Sequence, residues 1–318
     1  AEARRHSRRL VLLFALAVLA IVIAVNVAVV VAHLALDAAG PGLVPMLVLA
    51  TLATLGIIGL GSLYRIASLR GGGETVALEL GGVVVPEDTT DFNLRRLRNV
   101  VEEIAIASGV PMPKLFVLEH EAGINAFAAG YAPSDAVVAV TRGAVERLNR
   151  DELQGVIAHE FSHILNGDMR LNVRLMGVLF GILALALVGR KVLEHGRFGR
   201  RGKGAGAVLL AALVAMAIGY AGLFFARLIK AGVSRSREVL ADASAVQFTR
   251  NPRGIAGALK VIGSHSSHSK IANPNADENS HLFFGEAISR WASVFATHPP
   301  LSTRIKRLEP HWNGKFPT

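Results

Sequence analysis

His159 and His163 stand four residues apart, with Glu160 directly after the first, inside the apolar run from Val156 to Asp168. In a helix, positions four apart share one face. Both imidazoles can then hold one cation, and Glu160 can reach a water on that cation without being a ligand. Zinc suits this arrangement: two histidines, a third ligand from elsewhere in the chain, and an open position for water. Bound metal lowers the pKa of such a water toward roughly 7, and Glu160 would take its proton as the water attacks a peptide carbonyl. Alone, the same spacing also describes two hydrogen-bonded histidines on a buried helix.

A second stretch bears on that choice. Glu238 and Asp242 are also four apart, among small and apolar neighbours from Val239 to Ala245. Carboxylates in such surroundings are costly unless paired or metal-bound. A Glu ligand, with an Asp that orients a ligand histidine from behind, satisfies both. The other reading is a solvated acidic face shared with Arg235 and Arg237.

These two stretches resemble the HtpX-type membrane zinc metalloproteases, which are related to the CAAX prenyl proteases. The resemblance also covers Asn125-Ala126-Phe127-Ala128-Ala129-Gly130 and Thr297-His298-Pro299-Pro300-Leu301-Ser302-Thr303-Arg304-Ile305, and it runs from about Asn93 to the C-terminus. It implies one Zn2+ per chain, held by His159, His163 and Glu238, with Glu160 as general base. It implies that the strand Asn125, Ala126, Phe127, Ala128 receives an extended polypeptide substrate along its edge, as strand addition allows; an ordinary core strand is the alternative. It places His298 beside the catalytic centre, where it could donate to the developing oxyanion. Arg304 would pair with an acid and hold that segment. The implied substrates are misfolded or damaged membrane proteins, in bacterial quality control.

Composition sets the frame for these residues. The chain has 318 residues, 52% of them hydrophobic, a mean hydropathy of +0.43 and a formal net charge of +10. That balance points to a membrane. Aromatics are only 6%, no nucleic-acid-binding module is recognisable, and the basic residues cluster at the ends of apolar runs, where they suit anionic lipid. There is no cysteine. Thiol ligands and disulfides are therefore excluded, and a zinc site must use histidine and carboxylate.

Residues 10–36 and 44–63 are apolar runs long enough to cross a bilayer. The first is too long for a signal peptide core and reads as an uncleaved anchor. Arg4, Arg5, Arg8 and Arg9 ahead of it predict a cytoplasmic N-terminus. The chain opens on Ala1 rather than Met, so further residues are expected ahead of it. Asp37 to Pro45 forms a turn, and Gly71-Gly72-Gly73 a flexible joint. A third run, Leu175 to Val188, is short for a span, and a fourth covers about 205–229. Arg190, Lys191, Arg197, Arg200, Arg201 and Lys203 lie between them against Glu194 alone. If both runs cross, this basic loop lies outside, against the positive-inside rule. A shallow hairpin, or one packed on the soluble domain, would avoid the conflict.

The soluble part is expected to be mainly α with a small β-sheet, a zincin-like α+β domain. One or two strands are expected within Val76–Val85, then a helix over about Phe92–Ser108 capped by Asp91 and stopped by Gly109. Strands follow at Lys114–Leu118, Ala126–Ala129 and Ala136–Val140, and a short helix from Thr141 to Leu148. Asn149 caps the His159 helix in a capping box with Glu152. The Glu238 helix is expected to open at Ser234 and end near Phe248, with a further helix over about Gly254–Ile262. Residues 263–280, rich in Ser, His and Asn, read as a loop; His265, His268 and the adjacent His281 could bind stray metal but are expected to be solvated.

The organisation expected is a membrane anchor over 1–70 and a metalloprotease domain over 71–318, interrupted by an apolar hairpin at about 175–229. Polypeptide and membrane lipid are the expected partners, not nucleic acid. The expected location is the inner (plasma) membrane, multi-pass, with the protease face cytoplasmic. Two other functions fit the same chain less well. A catalytically silent membrane scaffold would bind partners regardless of Glu160. A transporter would need intramembrane acids, which the apolar runs almost lack.

Overall fold

The computed structural model describes residues 2–35, 42–69, 71–195, 205–264, 284 and 298–317. Most of the Asp37–Pro45 turn, Arg70, Arg197, Arg200, Arg201, Lys203, and residues 265–283 with His265, His268 and His281 lie outside the described residues.

The chain begins with helices α1 (Glu2–Ala35) and α2 (Leu43–Ser68), then a short α3 (Gly73–Glu79) and strand β1 (Val83–Val84). Helix α4 (Phe92–Ser108) leads to β2 (Lys114–Leu118), β3 (Ala126–Ala129) and β4 (Val137–Thr141). Then come α5 (Arg142–Arg147), α6 (Arg150–Leu165), α7 (Asp168–His195), α8 (Ala205–Thr249), α9 (Pro252–Ser264) and α10 (Leu301–Leu308). The fold is mainly helical with one small mixed sheet.

Two compact units emerge, Ala1–Ser68 with Arg174–Lys230, and Leu69–Val173 with Ala231–Thr318. Their boundaries fall within α7 and α8. Among the described residues, four stretches are long and apolar enough to cross a bilayer: Val11–Leu34, Leu43–Ser68, Asp168–His195 and Val208–Ile229, all in the first unit but for the start of the third. The third is longer than its apolar core suggested, because the polar flanks carrying Arg170, Asn172, Arg190 and Lys191 are helical too. The 175–229 pair belongs to this unit. Small residues let the helix backbones approach: a Cβ on Gly181 would sit 2.3 Å from Ile58 O, and one on Gly219 2.5 Å from Ala186 N. Asn26 Nδ2 donates to Thr51 Oγ1 at 2.8 Å, so a polar bond also ties α1 to α2.

In the second unit the sheet order is β1-β2-β4-β3. β2 and β4 are parallel, and the two outer pairs are antiparallel. Helices α4, α6 and α9 share one hydrophobic core with the sheet, built on Leu97, Val101, Phe161, Leu259 and their neighbours. α6 is central, with Leu153, Val156, Ile157, Ala158, Phe161 and Ile164 all buried. Its N-terminus closes as a capping box: Glu152 N donates to Asn149 Oδ1 and Asn149 N to Glu152 Oε2, both at 2.9 Å. Two glycines bring α9 against it. A Cβ on Gly155 would lie 2.5 Å from Ile255 N, and one on Gly254 2.5 Å from Asp151 O.

Three expectations need correction. Residues 73–79 are helical, and only Val83–Val84 pair as a strand. Val76, Ala77 and Leu80 are buried, a spacing of one and four that suits a helix turn better than alternation. Gly71–Gly73 is no loose joint. Gly72 takes φ 73°, and a Cβ on Gly73 would come 2.1 Å from Ala129 O, so the turn is packed onto the sheet. The Glu238 helix does not open at Ser234; it continues α8 without interruption. Nothing between Ile229 and Ser234 breaks a helix: there is no proline, and the lone Gly232 costs only about 1 kcal/mol.

Candidate metal centre

Helix α6 presents His159 and His163 one turn apart, with their Nε2 atoms 3.2 Å from each other. Helix α8 brings Glu238 to the same point. Its Oε2 lies 3.4 Å from His159 Nε2, and its Oε1 3.5 Å from His163 Nε2. One donor atom from each of the three residues falls within 4.8 Å of the others. All three lie in or at the edge of the core, with His159 fully buried and Glu238 nearly so.

The opposite nitrogens of the two histidines each face a carboxylate. His163 Nδ1 is 2.9 Å from Asp168 Oδ2. His159 Nδ1 is 2.9 Å from Asp242 Oδ1, at an angle poor for a hydrogen bond. A carboxylate behind each ring favours the proton on Nδ1 and leaves the Nε2 lone pair for a cation. Both carboxylates are themselves held. Arg304 donates to Asp242 twice, Nε to Oδ2 at 2.9 Å and Nη2 to Oδ1 at 2.6 Å. Arg237 donates to Asp168 Oδ1. His298 Nδ1 lies 2.7 Å from Glu238 Oε2, again off the hydrogen-bonding direction, so it stands directly over the third donor.

Charge in this cluster is unbalanced without a cation. Burial opposes the charged form of both histidines, yet Glu238 and Asp242 raise His159 above the ordinary imidazole range, and Asp168 and Glu238 raise His163 well above it. Burial pushes Glu238 upward, but His298 and His159 beside it hold its carboxyl well below the usual range. The carboxylates thus demand positive charge where the Nε2 atoms meet. Glu160 completes the set. It is 1% exposed, and both its carboxylate oxygens lack a hydrogen-bond partner. Burial lifts its carboxyl to about 7 against the pull of His159 and His163. Buried polar atoms are rarely left unpaired. Orphaned oxygens on Glu160 and Glu238, and orphaned nitrogens on His298, fit a divalent cation and its water.

Strand β3 is one of the two outer strands of the sheet, and its Ala128 lies beside Glu160. Ala126 pairs with Val140 and Ala128 with Val138. Thr141 N donates to Asn125 O at 3.0 Å, and Asn125 N to Thr141 Oγ1 at 2.9 Å. In an antiparallel pair these bonds alternate. Asn125 and Phe127 therefore turn their peptide groups toward β4, and Ala126 and Ala128 turn theirs to the outer edge. The Ala128 amide faces Glu160 and favours its charged form, but outside the geometry of a hydrogen bond, so this edge adjoins the carboxylate without pairing it.

The structure brings His159, Glu160, His163, Glu238, Asp242, His298 and Arg304 into one neighbourhood, while His265, His268 and His281 lie outside the described residues. Asp168, Arg237 and Phe284 were not singled out. Asp168 had a signal: it follows Gly167, whose φ of 71° ends the α6 turn and swings the next residue back onto His163. Arg237 and Phe284 carried none, since their partners are distant in sequence.

The pattern of peptidase family M48 matches residues 92–311. The "Protease HtpX homolog" of Thermoanaerobacter pseudethanolicus is 38% identical over 219 residues, covering 67% of this chain and 71% of that protein. The protein of the same description from Caldanaerobacter subterraneus subsp. tengcongensis is 37% identical over 238 residues, 74% of this chain and 77% of its own length. That of Ligilactobacillus salivarius is 38% identical over 235 residues, with 70% and 75% covered. Among solved structures, the crystal structure of S. mikatae Ste24p is similar with a TM-score of 0.47 and 15% identity, over 84% of this chain and 58% of that one.

Proposed function

The chain belongs to peptidase family M48 and is a multi-pass membrane metalloprotease of the HtpX type, and from that premise we propose that it is a zinc endopeptidase with His159, His163 and Glu238 as ligands and Glu160 as general base. One observation carries this reading: two imidazole Nε2 atoms and a carboxylate converge beside a buried Glu160 whose oxygens have no partner. Zinc held there would polarise a peptide carbonyl and acidify a bound water. Glu160 takes the proton of the attacking water and passes it to the departing amine. A carboxyl near neutrality is suited to both halves of that transfer. His298 donates to the oxyanion as it forms. Asp242 and Asp168 hold the two histidines in register, and Arg304 fixes Asp242. An extended substrate adds along the outer edge of β3, with Asn125, Ala126, Phe127 and Ala128 lining it.

The biological role that fits is removal of misfolded or damaged membrane proteins from the inner membrane of a bacterium. The protease face is cytoplasmic in this reading. With α7 and α8 read as two crossings, the chain between His163 and Glu238 returns to the side it left, at the cost of placing Arg190 and Lys191 outside.

The test is an assay of purified protein in detergent on unfolded casein, with Glu160→Gln alongside and zinc counted in both. Cleavage by the parent alone, with about one zinc in each, is the expected result. Failure of both proteins to retain zinc after resupply would sink the metal assignment. Zinc in both without cleavage would favour the silent scaffold.

A further inference from the structure

Phe284 is fully buried within the cluster. Its backbone N–H donates to Ala126 O at 2.7 Å, and its carbonyl accepts from Arg304 Nη1 at 3.0 Å. Its ring meets that of His159 edge-on, with centroids 4.9 Å apart and planes at 89°. The Arg304 guanidinium lies 4.7 Å from the ring centroid.

The register of β3 gives these contacts their meaning. Ala126 turns its carbonyl outward, so it is the acceptor that an added strand would use. In this structure Phe284 holds it. We propose that Phe284 is a resident competitor for the substrate edge: an extended polypeptide must displace the Phe284 N–H from Ala126 O before it can pair with β3. The inference rests on the reading that substrate adds along this strand. The ring is what makes the competitor persistent. It is wholly removed from water, and it is gripped by a cation at one face and an imidazole edge at another. A contact broken once on binding, and absent from the chemical step, weakens substrate binding and leaves the turnover of bound substrate alone.

The test compares zinc-loaded parent with Phe284→Ala and Phe284→Pro, full chain in detergent, on fluorescein-labelled casein. Phe284→Ala keeps the N–H and loses the anchor; Phe284→Pro loses the donor. Both should lower KM about five- to tenfold, the worth of roughly one net hydrogen bond, with kcat within about twofold. A fall in kcat, or loss of zinc with KM unchanged, would make Phe284 a support for His159 and overturn the proposal. A readout without substitution at Phe284 uses zinc-loaded Glu160→Gln. Amide exchange at Phe284 should be slow alone and fast once labelled casein saturates the protein. Protection that survives casein binding overturns the proposal even if the variants misfold. The two readings separate cleanly. Parent that cleaves casein, with KM unmoved by either substitution, removes only the competitor. No binding or cleavage by any of the three with zinc in place removes the endopeptidase reading, and the competitor with it.

Discussion

Arg304 holds Asp242 through two hydrogen bonds, Nε to Oδ2 at 2.9 Å and Nη2 to Oδ1 at 2.6 Å, across 62 residues of sequence. Arg304 is 1% exposed and Asp242 7%. A fork of this kind is specific to guanidinium, whereas an ammonium offers only a point charge. Arg304→Lys should therefore weaken zinc retention about tenfold, as loss of a group that orients a ligand does. Arg304→Ala strands a buried carboxylate and should cost about 3–5 kcal/mol of stability. Chelator competition and thermal melts measure the two. Normal zinc affinity in Arg304→Lys would show that the fork is not needed.

Asp242 also sets an acid limit. The Arg304 and His159 charges overcome burial and hold its carboxyl at about 2, against an ordinary 3.8. Between those values the unfolded chain binds a proton that the folded one refuses. Its contribution, about 2 kcal/mol, is complete above pH ~4 and is lost as pH falls through about 2. Denaturant titrations of zinc-free protein should lose stability across that window, with a shallower loss in Asp242→Asn. Equal slopes for the two proteins would refute the assignment.

Glu160 has the opposite sign. Its carboxyl is raised to about 7 by burial, so from an ordinary 4.5 upward the folded chain keeps a proton that the unfolded chain has released. Stability falls as pH rises through this range. Glu160→Gln should then stabilise zinc-free protein at pH ~8 by up to about 3 kcal/mol and change it little at pH ~4, while abolishing cleavage. That is the exchange of stability for function expected if Glu160 is the base proposed above. A variant no more stable than the parent at the higher pH would count against a buried, unpaired base.

Asp168 faces His163 Nδ1 at 2.9 Å and is itself held by Arg237. Asp168→Ala should lower zinc affinity about 10- to 100-fold, with the fold retained. Competition with a zinc-binding dye gives the number. An unchanged affinity would assign Asp168 to the helix turn alone.

Gly155 marks where α9 closes on the metal helix. Its Cβ would lie 2.5 Å from Ile255 N, a backbone atom that cannot move away cheaply. Gly155→Ala should destabilise the second unit by about 1–3 kcal/mol despite alanine's better helix propensity. A stabilised variant would show that the two helices can part at no cost.

The metal helix was legible because its signals are local. Asn149 and Glu152 start it, helical spacing puts His159 and His163 on one face, and Gly167 ends it, all within about five turns. Asp91 and Gly109 frame α4 in the same way. Within Val76–Val85 the β-branched valines suggest one or two strands; Val83–Val84 does pair as one, while residues up to Glu79 are helical, with Gly73 packed against Ala129 O. The continuity of α8 was missed because an apolar membrane stretch and a polar catalytic stretch look like two elements by composition, though no residue between them interrupts the backbone bonds.

By itself, the sequence determined which residue types could do chemistry, which helix faces they share, that thiols play no part, and that three stretches are long enough for a bilayer. These follow from bond geometry, periodicity and composition, which act over a few residues. Only the tertiary structure decided that Glu238 meets both histidines, that Arg304 holds Asp242, that the outward carbonyl of Ala126 is taken by Phe284, and that Glu160 is left without a partner. Those are contacts between elements far apart in the chain. They are set by how the core packs and by where burial leaves a charge unpaired.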